Sequence, residues 1–357
     1  MNSSNALKVN FLLGIAFLVM LLAMGCTEDP IVDSQSDTLE RLDVRLHELL
    51  TEQSNGLGAN FYILPNSDDF DAIPQDANNP ITSEKVALGQ LLFHETGIAL
   101  NPKKTVGMGK YSCASCHHAQ GGFQACMPQG IGEGGSGFGF TGEGRIMASE
   151  YTAEEVDVQP LRSPSALNIA YQTNVLWNGM FGATNKNEGT QASWTADTPK
   201  ATNFLGYEGV ETQAIAGLKV HRLKADSGLV KENVNYQALF DAAFANNPVE
   251  ERITQENAGL AIAAYERTLV ANEAPFQQWL KGDNQAMTDA EKTGAILFFG
   301  KGKCSNCHNG PALNDMEFYA LGMKDLYEDA SALNVPIEDA AHLGRGGFTG
   351  KTSDNYK

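Results

Sequence analysis

Cys113-Ala114-Ser115-Cys116-His117 returns as Cys304-Ser305-Asn306-Cys307-His308, and these two stretches decide how the chain is read. In Cys-x-x-Cys-His each thiol can add to one vinyl group of a haem, and the adjoining imidazole can ligate the iron. The spacing has a geometric reason: the thiols must span the two vinyls while the backbone turns, and that turn aims the next side chain at the metal. A lone copy would also suit zinc. Two copies, each closed by histidine and lying behind an export-type leader, predict two covalent c-type haems, with His117 and His308 as the proximal iron ligands.

The leader begins with a thin basic region at Lys8 and continues as an apolar run from Phe11 to Met24, too short for a comfortable membrane span. It ends in Leu22-Ala23-Met24-Gly25-Cys26, which resembles a bacterial lipobox with Cys26 as the lipidated first residue of the mature chain. Ordinary signal cleavage and an uncleaved anchor are the alternatives. Each places the protein in the bacterial cell envelope facing the periplasm, lipid-anchored on the preferred reading. The formal charge of −18 argues against nucleic acid and against a basic membrane-facing patch, and favours a donor with a basic docking face. Of six cysteines, four go to haem and Cys26 to the leader, leaving Cys126 as a small residue near the first haem.

Residues 27–80 follow as tether and extension, with Leu39, Leu42, Leu46, Leu49 and Leu50 striping one helical face and His47 on its polar side. Thr82 or Ser83 caps the next helix, whose Gly89-Gln90-Leu91-Leu92-Phe93 returns as Gly294-Ala295-Ile296-Leu297-Phe298. Thr288 and Glu291 form a capping box before the second copy, and Gly300 stops it. Helix, loop and haem motif thus repeat once. The fold expected is mainly α, with two cytochrome c-like haem domains and long irregular loops: 81–285, and 286–357, the second cut short. Residues 119–210 are poor in helix signals, and Gly130 to Gly144 holds eight glycines in fifteen residues, too flexible to be core. A further helix starts near Thr254 with Ile262, Tyr265 and Leu269 on one face, ending before the Pro275 break.

Leu88-Gly89-Gln90-Leu91-Leu92-Phe93, Ser112 to His117, Ala264-Tyr265-Glu266-Arg267-Thr268-Leu269 and Leu297 to Cys304 resemble the bacterial di-haem cytochrome c peroxidase family, which includes the methylamine-utilisation di-haem enzymes. The resemblance runs from about Ile81 onward. It implies a peroxidase that reduces hydrogen peroxide to water at the His117 haem, with electrons received at the His308 haem from a small cytochrome c or cupredoxin. It implies Trp177, in Leu176-Trp177-Asn178-Gly179, as a residue between the haems, with a plain core tryptophan as the alternative. It also implies a calcium ion between the domains, for which the sequence offers no carboxylate cluster, and it leaves a homodimer open.

Three departures matter. The family's Val-Glu-Met stretch, which carries the distal acid–base glutamate, corresponds best to Val220-His221-Arg222. A neutral histidine can relay the proton that O–O cleavage requires, and Arg222 can stabilise charge on the leaving oxygen. Alternatively His221 is a sixth iron ligand, or neither. The loop histidine found in many members has no counterpart in Gly130 to Gly144, and His118 is read as solvent-facing or bonded to a propionate. Only 49 residues follow His308, so the methionine expected on that iron is read as lying beyond Lys357. Met316 and Met323 lie so close to the motif that a local helix would misdirect them, and a complete chain with Met323 or His342 as ligand is the alternative. A di-haem electron-transfer cytochrome and a methylamine-utilisation-type oxidase remain alternative functions.

Overall fold

Apolar residues at helical spacing, bounded by threonine and asparagine caps, make this a mainly helical protein. The computed structural model describes residues 34–323, 332–333 and 339–357. Their helices are α1 (Ser34–Gln53), α2 (Ser83–His94), α3 (Gly209–Val220), α4 (Leu229–Glu232), α5 (Val234–Ala243), α6 (Gln255–Arg267), α7 (Pro275–Leu280), α8 (Asp289–Phe299) and α9 (Arg345–Thr349), joined by 3-10 turns. Two-residue strands β1 (Gly135–Ser136) and β2 (Ile146–Met147) pair antiparallel, with Gly135 opposite Met147. The leader and Cys26 lie outside the described residues, among which no helix is long and apolar enough to cross a membrane.

The chain forms two units by contact: residues up to Gly58 with 287–303, and 59–286 with 304–357. In the first, α1 packs on α8. Leu46, Leu49 and Leu50 are buried as their stripe predicts, and His47 is exposed. Helix α1 begins inside the stretch that reads as tether. Lys292, with its side chain wholly buried, pairs with Asp43 at 2.7 Å. The predicted capping box is present: the Glu291 amide donates to Thr288 Oγ1 at 3.3 Å, and the Thr288 amide to Glu291 Oε2 at 2.7 Å.

The second unit holds both Cys-x-x-Cys-His motifs and the main core, built by α2, α3, α5 and α6. Thr82 starts α2 by accepting from the Lys85 amide at 3.2 Å, which satisfies one donor of an otherwise open first turn. Leu88, Leu92 and Phe93 face Ala258, Ala261 and Ile262 of α6, all buried. The helices touch backbone to backbone: a Cβ on Gly89 would stand 1.9 Å from the Ala261 carbonyl oxygen. A mid-helix glycine costs about 1 kcal/mol relative to alanine, and here it permits the crossing that the core needs.

Residues 119–208 are irregular, as expected, but the glycine-rich stretch is divided. Residues 129–134 are buried and 136–140 are exposed. Buried Arg145 donates to the carbonyls of Ile131, Gly132 and Gly137, and the other anchor is Glu133, a carboxylate with no exposed surface whose partners are described below. Burying it fixes the backbone that glycine alone would leave mobile.

A buried ion pair closes the core. Arg267 forks onto Glu211 at 2.8 and 2.7 Å, reaches Glu208 at 3.0 Å, and donates to the carbonyls of Pro74 and Ala170. Both Arg267 and Glu211 side chains are fully buried. Arg267→Met should therefore destabilise the protein by about 3–5 kcal/mol, because Glu211 loses its partner inside the core. Adding Glu211→Leu should recover most of that loss; denaturant unfolding followed by circular dichroism checks both.

Candidate functional site

Both Cys-x-x-Cys-His stretches fold alike. Cys113–Ser115 and Cys304–Asn306 are 3-10 turns. In the first, the amides of Cys116 and His117 donate to the Cys113 carbonyl at 3.1 and 3.0 Å; in the second, those of Cys307 and His308 donate to the Cys304 carbonyl at 3.2 and 2.9 Å. Ser115 Oγ closes the first turn by accepting from the Ser112 amide at 3.0 Å.

The donor set of the first turn suits a haem. His117 Nδ1 donates to the Phe123 carbonyl at 2.9 Å, which fixes the ring and leaves Nε2 for a metal. Burial lowers the pKa of His117; its bond to Phe123 opposes this and the charge of nearby His221 reinforces it. Cys113 and Cys116 form no disulfide. Burial pushes the Cys113 thiol up to about 12 and raises Cys116 as well, so both stay neutral thiols. Cys113, Ala114, Phe123, Leu176 and Met180 all pack on the main core, giving the turn an apolar surround.

His221 and Arg222 stand at the end of α3, and the way that helix stops places them. The Arg222 amide donates to the Lys219 carbonyl at 3.1 Å, and the Leu223 amide to Leu218 at 2.7 Å. Leu218 and Leu223 are both buried, completing a Schellman end. Arg222 takes the left-handed position at φ 58°, where glycine is usual. His221 is the C-cap.

Each of the two side chains finds a buried carboxylate. His221 Nδ1 donates to Asp157 Oδ2 at 2.9 Å; the Asp157 side chain is 4% exposed and that of His221 34%. Burial works against charge on His221, but the Asp157 carboxylate outweighs it and the histidine pKa is raised. Burial would lift Asp157 too, yet the charge and hydrogen bond of His221, with Arg222, hold that carboxyl below the usual range. Arg222 Nε donates to Glu133 Oε2 at 2.6 Å. Glu133 Oε1 also accepts from the Lys104 amide at 3.0 Å and from the Tyr151 hydroxyl at 3.1 Å. Arg222 Nη2 is buried with no hydrogen-bond partner, a donor available to an anionic oxygen.

The remaining candidates are dispersed. Trp177 is 60% exposed, on a loop closed by the Val175–Phe181 bridge. His118 lies with its ring 6.0 Å from that of Phe138, and Cys126 is exposed. Beyond the second motif, Met316 is half-buried, Met323 is 68% exposed, and His342 sits in the Asp339–Leu343 turn. Tyr319 donates to Asp315.

The sequence family described as di-haem cytochrome c peroxidase matches residues 83–285, more than half of the chain and the part that holds the first motif, α3 and α6. The chain belongs to this family. It is 30% identical over 254 residues to the methylamine utilization protein MauG of Methylorubrum extorquens, covering 71% of this chain and 57% of that protein. It is 31% identical over 294 residues to a cytochrome-c peroxidase of Denitromonas iodatirespirans, covering 80% and 61%. The cytochrome c peroxidase of Escherichia coli is 25% identical over 296 residues, covering 80% and 51%. The chain thus spans a little over half of the length of these relatives. Membership of a di-haem family implies haem c cofactors.

Asp157 and Glu133 are the site residues that the sequence reading did not find in this family member. Asp157 lies between the buried Val156 and Val158, and this alternation of buried valine and acid is the one local signal it gives. Glu133 is hidden among glycines.

The charged pair makes stability depend on pH. The raised His221 pKa means that its contribution is complete below the ordinary value of 6.5 and is lost as pH rises through the raised one. The lowered Asp157 pKa means that its contribution is present above the ordinary 3.8 and is lost as pH falls through the lowered one. Unfolding midpoints measured from about pH 2 to 9 should show both flanks. Asp157→Asn should flatten them.

Proposed function

We propose that the protein is a di-haem c-type peroxidase that reduces hydrogen peroxide to water with electrons from a small protein donor. The observation that carries this reading is the His221–Asp157 pair beside an unpartnered Arg222 nitrogen, within electrostatic reach of His117. In this reading Cys113 and Cys116 hold one haem covalently and Cys304 and Cys307 the other, with His117 and His308 as iron ligands. The haems, when bound, supply the redox chemistry: a peroxide-binding iron at His117 and an electron-receiving iron at His308. Residues 81–285 form the peroxidatic domain and 286–357 the electron-receiving one.

The protein residues manage protons and charge. Peroxide reduction takes two electrons and two protons to two waters, and one proton must move from the near oxygen to the departing one. His221 Nε2 is the atom for that relay, since Nδ1 is committed to Asp157. Asp157 fixes the tautomer and stabilises the imidazolium, raising the histidine pKa. Arg222 Nη2 donates to the developing anionic oxygen. Trp177 lies on the electron path between the sites.

The net charge of −18 suits a cytochrome c or cupredoxin donor with a basic face. The leader supports a periplasm-facing protein tethered to the membrane through lipid on Cys26. Calcium belongs to this reading as a family expectation; among the described residues no group of three His, Cys, Asp or Glu could hold a metal ion. A homodimer remains part of the family expectation. A methylamine-utilisation-type oxidase is the second reading, favoured by the likeness to MauG. Turnover separates them, because only the peroxidase oxidises reduced cytochrome c in proportion to peroxide.

His221→Ala should slow peroxide reduction by about 10²–10⁴-fold while haem content stays the same. Stopped-flow oxidation of reduced cytochrome c, with haem counted by pyridine haemochrome, reads both. Two haems that stay low-spin in every redox state, with a spectrum indifferent to peroxide, would rule out the peroxidase.

A further inference from the structure

The loop that carries Trp177 is held from a distant part of the sequence. Leu176 and Gly179 take left-handed backbone at φ 73° and 63°, so the tip departs from regular pairing just where the indole projects. Arg345, the first residue of α9, reaches this loop. Its Nη1 donates to the carbonyls of Asn178 and Gly179 at 3.1 and 3.2 Å and to Asn187 Oδ1 at 2.8 Å. Its Nη2 donates to the Lys186 carbonyl at 2.5 Å. Asn187, itself buried, returns two bonds of 2.8 Å to the carbonyls of Gly179 and Gly182.

The guanidinium is 5% exposed and lies over two aromatic rings, 4.6 Å from the Phe318 centroid and 5.0 Å from that of Phe348. No carboxylate among the described residues is within ion-pair distance of it; its acceptors are neutral oxygens of the Trp177 loop. Burying a cation this way is costly unless most of its donors are used, and a planar fork between two rings can satisfy several carbonyls at once. Lysine could not. Two further contacts join the same segments. Lys186 pairs with Glu317, and Phe318 fills the space a side chain on Gly179 would need, its Cζ standing 2.3 Å from that Cβ position. The segment following the second haem motif is therefore docked on the loop that carries Trp177.

We propose that Arg345 is the positioning residue of Trp177: its buried fork fixes the 176–187 loop against the segment after His308, so that the indole keeps one place between the two haem sites. The fixing of the loop stands on the geometry alone; its consequence for electron transfer rests on the reading that Trp177 lies on the electron path.

The test uses the full-length holoprotein with Arg345→Ala, Arg345→Lys and Trp177→Phe. In Arg345→Ala, amide exchange across 176–187 should quicken by about tenfold or more, since charged hydrogen bonds are lost, while 113–123 is unchanged. Inter-haem electron transfer, followed by flash reduction, should slow with both reduction potentials unchanged. Added guanidinium ion should restore both properties in Arg345→Ala. Arg345→Lys, which keeps the charge, should show the same loosening and serves if the alanine variant does not fold. Unchanged exchange in both variants overturns the clamp. Slowed transfer in Trp177→Phe with normal transfer in a loosened Arg345 variant overturns the positioning role. Normal transfer in Trp177→Phe overturns the electron-path reading instead, and leaves exchange to decide the clamp.

Discussion

Helix α3 ends with an arginine in the left-handed position that glycine adopts without strain, and a buried carboxylate holds it there. The Arg222–Glu133 bond of 2.6 Å is one half of the arrangement; the His221–Asp157 bond of 2.9 Å, one residue earlier, is the other. Non-glycine residues at positive φ cost on the order of 1–3 kcal/mol and persist only where surrounding contacts impose them. Here the Schellman hydrogen bonds, the Leu218–Leu223 burial and two carboxylates all impose the same backbone. The consequence is that two adjacent side chains leave the helix in different directions yet remain in one cluster. Moving either carboxylate would release the helix end together with the proton relay proposed for it.

The same device recurs through a chain that is strongly acidic overall. Among the described residues each buried cation is specifically met: Lys292 by Asp43, Arg267 by Glu211 and Glu208, Arg145 by the carbonyls of Ile131, Gly132 and Gly137, Arg345 by neutral oxygens, and half-buried Arg222 is met by Glu133. A buried pair contributes little net stability compared with a well-packed apolar pair, but losing one partner is expensive. Such pairs specify arrangement more than they strengthen it. In this protein they sit where irregular segments must be pinned: the glycine-rich loop by Glu133, the Trp177 loop by Arg345, and the start of α3 by Arg267.

Much of this was legible in the sequence where the causes are local. The caps at Thr82 and Thr288, the stripe on α1 and the two Cys-x-x-Cys-His turns depend on residues within a few positions of one another, so pattern and spacing reveal them. The carboxylates were not legible, because Asp157 and Glu133 lie 64 and 89 residues from their partners. Composition misled at Gly130 to Gly144: glycine reports what backbone is permitted, and two buried charged groups, Glu133 and Arg145, decide which part of it is used. Trp177 was found by resemblance, but nothing local showed that its loop would be gripped from position 345.

The choice of histidine at position 221 follows from where the helix leaves it. The last turn of a helix presents unpaired carbonyls and the negative end of the macrodipole, which favours a cation and penalises an anion. A glutamate at this C-cap would face both that dipole and the Asp157 carboxylate, and would be driven toward its protonated form. Histidine turns the same two influences into support for its charged state. Burial and Arg222 pull the pKa down, the charge and hydrogen bond of Asp157 outweigh them, and the helix end favours the cation as well. The proton-carrying form is thus stabilised by neighbours that need not move when the proton leaves. In the role proposed for it His221 would keep its geometry, because Nδ1 stays bonded to the carboxylate whether or not Nε2 carries its hydrogen.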